Sequence, residues 1–133
     1  MTGQPTIQSF MTLCPHGIGL DQKVSVAQEL MRKHQIRHLP VQTGGRLVGI
    51  VSDRDIRLAG GLAEGAERDW AIEEVYTPEP YVVSPDTPLA EVLENMVQNQ
   101  IGCAIVVHHG AAKGIFTTVD ACRILAEKLR SGC

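Results

Sequence analysis

Two short segments carry the residues best suited to hold a ligand. Ser52 and Asp55 follow Gly49-Ile50-Val51, and Thr117 and Asp120 follow Gly114-Ile115-Phe116. Each segment sets a hydroxyl three positions before an aspartate. At a helix start, unpaired N–H groups and the helix dipole favour an anion such as phosphate, and the hydroxyl adds a donor. An ionised aspartate only accepts hydrogen bonds. It therefore repels a phosphate and suits the vicinal diol of a ribose. The leading glycine lets a ligand or a neighbouring strand come close. The same Ser-x-x-Asp spacing is also a capping box, which needs no ligand.

Specific elements must position these groups. Gly49-Ile50-Val51 reads as the end of a buried strand. Residues 55–63 read as a helix with Ile56, Leu58, Ala59 and Leu62 at its apolar positions, which puts Ser52 at the helix entrance. All of this recurs 65 residues later. Setting 7–59 on 72–124 without a gap pairs 53 positions, of which 13 are identical. Chance would give about 3. An internal repeat at this period decides the architecture before any single motif does.

Each repeat reads alike. A short helical turn (7–11, 72–76) leads to Thr-x-x-Pro (Thr12 with Pro15, Thr77 with Pro80). A short extended piece follows, clearest at Tyr81-Val82-Val83. An amphipathic helix comes next, with Val24, Ala27, Leu30 and Met31 in the first repeat. In the second, Thr87 reads as its N-cap and Pro88 as its first residue, ahead of Leu89, Val92, Leu93, Met96 and Val97. Two strands joined by glycine turns (37–41 with 46–52, 103–107 with 113–117) and a last helix, clearest at 119–129, complete the unit. Residues 63–70 read as a linker. A half of about 60 residues is marginal alone, so the halves are expected to pack on each other about a pseudo-twofold axis. Their two helix starts then face a shared cleft.

Composition narrows the function. The chain has 133 residues, net charge −3 and 44% hydrophobic content, as a globular protein does. That balance argues against nonspecific nucleic-acid binding and against an anionic membrane surface. No secretory signal or transmembrane run is expected. Cys14, Cys103, Cys122 and Cys133 show no metal or disulfide spacing, which reads as a reducing, cytoplasmic compartment. His108 and His109 point to opposite faces of a strand and so do not share a metal ion. Arg57 and Arg123, behind the aspartates, read as solvated or salt-bridged side chains rather than phosphate clamps. No catalytic constellation is found, and no enzyme activity is expected.

The sequence resembles the cystathionine-β-synthase (CBS) domain family, as a tandem pair or Bateman module covering 7 to about 130. Ile36-Arg37-His38-Leu39-Pro40-Val41 followed by Gly49-Ile50-Val51-Ser52-Asp53-Arg54-Asp55 looks like a first CBS repeat. The second departs from the pattern, with Gly102-Cys103-Ala104-Ile105 in place of the polar-x-x-Pro piece. The resemblance implies an α+β fold of two β-α-β-β-α repeats, 7–65 and 72–130, packed through their sheets. It implies a stand-alone regulatory module that binds an adenosine compound reversibly: AMP, ADP, ATP, S-adenosylmethionine or NAD(H). Ser52 and Thr117 would hold phosphate or ribose oxygens, and Asp55 and Asp120 ribose hydroxyls. Pro15, His16, Arg37 and His38, and Pro80, Tyr81, Gly102 and Cys103, would line the base, and the repeats would exchange these segments across the cleft. A homodimer is implied, with no catalytic cofactor and no metal. The alternative is a dimerisation or docking scaffold without a ligand. Asp53 adds a carboxylate beside Ser52 where the second repeat has neutral Thr118. Phosphate-bearing ligands are therefore expected to prefer the Thr117/Asp120 end.

Overall fold

In the computed structural model, residues 3–13, 16–62 and 69–132 are described. The linker expected at 63–70 falls mostly outside them, as do Pro15 and Cys14. Eight strands are described: β1 (Thr12–Leu13), β2 (Ile18–Gly19), β3 (His38–Thr43), β4 (Arg46–Ser52), β5 (Thr77–Pro78), β6 (Val82–Val83), β7 (Cys103–His108) and β8 (Ala111–Thr117). Four helices accompany them: α1 (Val24–His34), α2 (Asp53–Leu62), α3 (Leu89–Gln98) and α4 (Thr118–Arg130). The α+β class is as the sequence implies, and each repeat carries one short strand more than the implied β-α-β-β-α order, β1 and β5, at the Thr-x-x-Pro segments.

The compact units are staggered against the repeats. One consists of the first 15 residues with 81–133, the other of 16–80. Within the second unit the sheet order is β2-β3-β4-β5, and within the first it is β1-β8-β7-β6. In each, a helix crosses over between parallel neighbours, α1 between β2 and β3 and α3 between β6 and β7. Each sheet then borrows its far edge strand from the lead segment of the other repeat. Thr12 of β1 pairs with Ile115 of β8, and Thr77 of β5 pairs with Ile50 of β4.

The same exchange holds the helical turns in place. Ile7 N–H donates to Thr87 O at 2.8 Å, and Leu89 N–H donates to Pro5 O at 2.9 Å. Their counterparts 65 residues on or back are Ile72 N–H to Gln22 O at 2.8 Å and Val24 N–H to Trp70 O at 2.7 Å. Ile7 is fully buried with Val92, Met96, Val106 and Phe116. Ile72 is fully buried with Ala27, Leu39, Val41 and Val51. These apolar anchors explain why a polar-flanked lead segment stays with its unit: burying an isoleucine contributes about 1.5–3 kcal/mol.

Helix starts differ locally from the sequence expectation: α2 begins at Asp53, two residues before the expected 55. α3 begins one residue later than expected, with Pro88 and not Thr87 at its N-cap. Thr87 Oγ1 instead accepts from Ser84 N–H at 3.1 Å, closing the turn ahead of the helix. The hairpin turns are both left-handed at their two central residues: φ is 58° and 79° at Gly44 and Gly45, and 54° and 80° at His109 and Gly110. That geometry matches the twist of the flanking strands.

Candidate functional site

Each hydroxyl–aspartate pair lies at a junction from strand to helix. β4 ends on Ser52 and α2 begins at Asp53; β8 ends on Thr117 and α4 begins at Thr118. The first helical N–H of each is already satisfied from the neighbouring strand's lead. Asp53 N–H donates to Arg37 O at 2.9 Å, and Thr118 N–H donates to Gly102 O at 3.2 Å.

Both aspartates fold back onto their own helix starts. Ser52 N–H donates to Asp55 Oδ2 at 3.1 Å, and Asp55 N–H donates to Ser52 Oγ at 3.0 Å. Thr117 N–H donates to Asp120 Oδ2 at 2.8 Å, and Asp120 N–H donates to Thr117 Oγ1 at 3.3 Å. These are reciprocal capping boxes. The glycine also has a structural cause. A Cβ on Gly49 would stand 2.5 Å from Thr77 O, and one on Gly114 would stand 2.7 Å from Met11 Cγ. It is the borrowed lead segment that comes close at both positions.

Beyond the shared box the two ends diverge. At the second, the Thr117 hydroxyl donates to Asp120 Oδ2 at 3.2 Å, and Arg123 holds Oδ1 at 3.1 Å. Asp120 is only 7% exposed. At the first, Asp55 is half-buried, and among the described residues its Oδ1 and the Ser52 hydroxyl hydrogen take part in no hydrogen bond. Arg57 pairs with Asp53 at 2.7 Å instead. Both arginines are thus salt-bridged, one of the two states that the sequence left open for them.

The residues expected to line a base are distributed unevenly. His38 stands in register with Ser52, and Cys103 with Thr117, so each joins its pair. Burial pushes the His38 imidazole below its usual pKa; Asp55 opposes that, and Arg37 adds to it. Arg37 itself is exposed and lines an open groove of about 430 Å³ with Gln28, Arg32, Gln35 and Asp53. His16 stacks on His34 at the end of α1, ring centroids 4.1 Å apart. Tyr81 packs against the core beside Val83. Gly102 is exposed, Pro80 is half-buried, and Pro15 lies outside the described residues. Position 58 was read from the sequence only as an apolar position of its helix, with no part in the site. The 65-residue shift could have found it, because Leu58 stands where the second repeat has Arg123. Among the described residues no three His, Cys, Asp or Glu side chains gather as metal ligands would, and no helix is long and apolar enough to cross a membrane.

Known proteins match this arrangement over most of the chain. The sequence signature of the CBS domain matches twice, at 7–60 and 72–127. Hypoxic response protein 1 of Mycobacterium tuberculosis is 31% identical over 112 residues, 83% of this chain and 78% of that protein. Among solved structures, the CBS domain pair of protein MJ0100, in complex with 5-methylthioadenosine and S-adenosyl-L-methionine, superposes with a TM-score of 0.80 at 26% identity. It covers 94% of this chain and 98% of that one. CBSX2 in complex with AMP superposes with a TM-score of 0.73 at 26% identity, covering 92% and 96%.

Proposed function

Because the chain belongs to the CBS domain family, we propose that it is a regulatory module that binds an adenosine nucleotide or derivative reversibly and signals by changing conformation. The observation that carries this is the Ser52/Asp55 junction: a hydroxyl hydrogen and a carboxylate oxygen left open side by side, with His38 in register beside them. A donor for phosphate and an acceptor for ribose hydroxyls are what such a ligand needs. The adenosine ligands held by two similar CBS pairs support the choice of class. A ligand shifts conformation only by binding one state better than another. No catalytic role is assigned to any residue. Self-association into a homodimer belongs to the same reading, supported by exposed Val97, Val119, Leu125 and Leu129 on α3 and α4; sedimentation velocity tests it.

The direct test is calorimetric titration with AMP, ADP, ATP, S-adenosylmethionine and NADH. At least one is expected to bind, and Asp55→Ala is expected to weaken it by about tenfold to a hundredfold. Unchanged affinity would remove the assigned site.

A second reading has its own observation. Both aspartates complete capping boxes, so the motif has a purely structural use. On that reading the module is an interaction scaffold. No adenosine compound would then raise the melting temperature, whereas a ligand at 100 times its Kd stabilises by about 2.7 kcal/mol.

A further inference from the structure

We infer that the two hydroxyl–aspartate ends are not equivalent, and that the residue three positions after each aspartate decides which end is open: Leu58 leaves the Ser52/Asp55 end available and Arg123 closes the Thr117/Asp120 end. This rests on the adenosine-ligand reading above. In the second repeat the hydroxyl and both carboxylate oxygens that would meet a ribose or phosphate are already engaged. Asp120 Oδ1 accepts from Arg123 at 3.1 Å, its Oδ2 accepts from Thr117 N–H at 2.8 Å, and the Thr117 hydroxyl donates to that same oxygen at 3.2 Å. A ligand entering there has to displace a charge-assisted bond and turn a hydroxyl away from a carboxylate. In the first repeat the equivalent of Arg123 is Leu58, which cannot bond to Asp55. Asp55 uses only Oδ2 within its box.

Counting charges alone favours the opposite end, because Asp53 puts a second carboxylate beside Ser52. That carboxylate is answered by Arg57 at 2.7 Å, one turn along α2. The repulsion expected from Asp53 is therefore offset. What separates the ends is which acceptor and which hydroxyl hydrogen are open, and both belong to the first repeat. Arg123 is a positioning residue here. It acts through Asp120, and its side chain is 62% exposed, so its hold is screened by solvent and modest in strength.

The two positions can be exchanged, which makes the inference testable in both directions. Leu58 is 55% exposed, so an arginine there displaces no core. AMP is titrated into the full chain while amide resonances of 52–56 and 117–121 are followed separately by NMR. In the natural chain the 52–56 amides are expected to saturate at about fivefold lower AMP. Arg123→Leu is expected to tighten the 117–121 end by about fivefold, Arg123→Lys to leave it as it was, and Leu58→Arg to weaken the 52–56 end by a similar factor. Simultaneous saturation of both ends, or earlier saturation of the 117–121 end, overturns the inference and leaves the ligand class standing. Arg123→Lys behaving like Arg123→Leu also overturns it, since the cation would then not be the cause. Absence of shifts at either end in both the natural chain and Arg123→Leu, with ADP, ATP, S-adenosylmethionine and NADH as well as AMP, overturns the inference and the ligand reading together.

Discussion

Leu58 and Arg123 occupy the same place in the two repeats, three residues past the aspartate, and only Arg123 reaches back to it. A duplicated scaffold has thus kept one frame and changed the fate of its two carboxylates. The capping box is common to both, so it reports on folding. The groups left over differ, and on the proposed function they bear on binding.

The caps should contribute unequally to stability. Asp120→Ala removes an acceptor for Thr117 N–H, the Thr117 hydroxyl and Arg123 at a nearly buried position. Asp55→Ala removes one for Ser52 N–H alone. Losses of about 2 kcal/mol and about 1 kcal/mol are expected, read from urea midpoints at constant slope. Equal losses would mean that the extra bonds to Asp120 contribute nothing.

Gly49 should tolerate substitution less well than Gly114. A Cβ at Gly49 meets the backbone oxygen of Thr77, which cannot yield without moving β5. At Gly114 it meets the flexible side chain of Met11, which can rotate. Gly49→Ala is expected to cost about 2–3 kcal/mol and Gly114→Ala about 1 kcal/mol. Thermal unfolding of the two variants side by side checks the order.

His38 should make the protein less stable in mild acid. Its pKa is lowered in the folded state, chiefly by burial, with Arg37 contributing and Asp55 opposing. The unfolded chain therefore takes up a proton first as pH falls through the ordinary histidine range of about 6.5. Stability is constant above that range and declines below it, down to the lowered folded pKa. His34 is shifted in the same direction, while Asp69, lowered by the Ser25 hydroxyl and amide, titrates at more acid pH. Denaturation at pH 7.5 and 5.5 should show a drop that His38→Gln reduces. An undiminished drop in that variant would assign the effect to another group.

Damage to one repeat's lead segment should appear in the other repeat's body. Ile7→Ala removes a fully buried side chain from the core around Phe116, at a cost of about 2–4 kcal/mol. Native-state hydrogen exchange should then accelerate in 81–132 more than in 16–62. Ile72→Ala should do the reverse. Acceleration confined to the mutated repeat would contradict the exchanged edge strands.

The duplication, the element order and the helix starts at Ser52 and Thr117 were legible because period and turn chemistry are written locally. The two-strand hairpins followed from glycine and apolar runs alone. What was not legible is long-range. Nothing near Gly49 announces that Tyr76 and Thr77 press on it, because that contact joins residues far apart in sequence. Thr87 and Pro88 form a helix-start signal good to one residue, and the competing bond from Ser84 decided between them. Arg37 and His38 are neighbours that the family resemblance gave one role. The structure separates them: His38 opens β3 in register with Ser52, and Arg37, just ahead of the strand, lines an open groove. The Arg123–Asp120 bond was not named from the sequence, which gave Arg123 only as a solvated or salt-bridged side chain; geometry shows which oxygen it occupies, and that makes its absence from the first repeat informative.

The traded lead strands also set how the chain responds to being cut. Severed after Leu62, it would give two fragments, and each would still be woven into both units through β1 or β5. Neither fragment could diffuse away without stripping an edge strand and a buried isoleucine from the unit it leaves behind. A nicked molecule should therefore keep its native size on a gel-filtration column and separate into pieces only in denaturant.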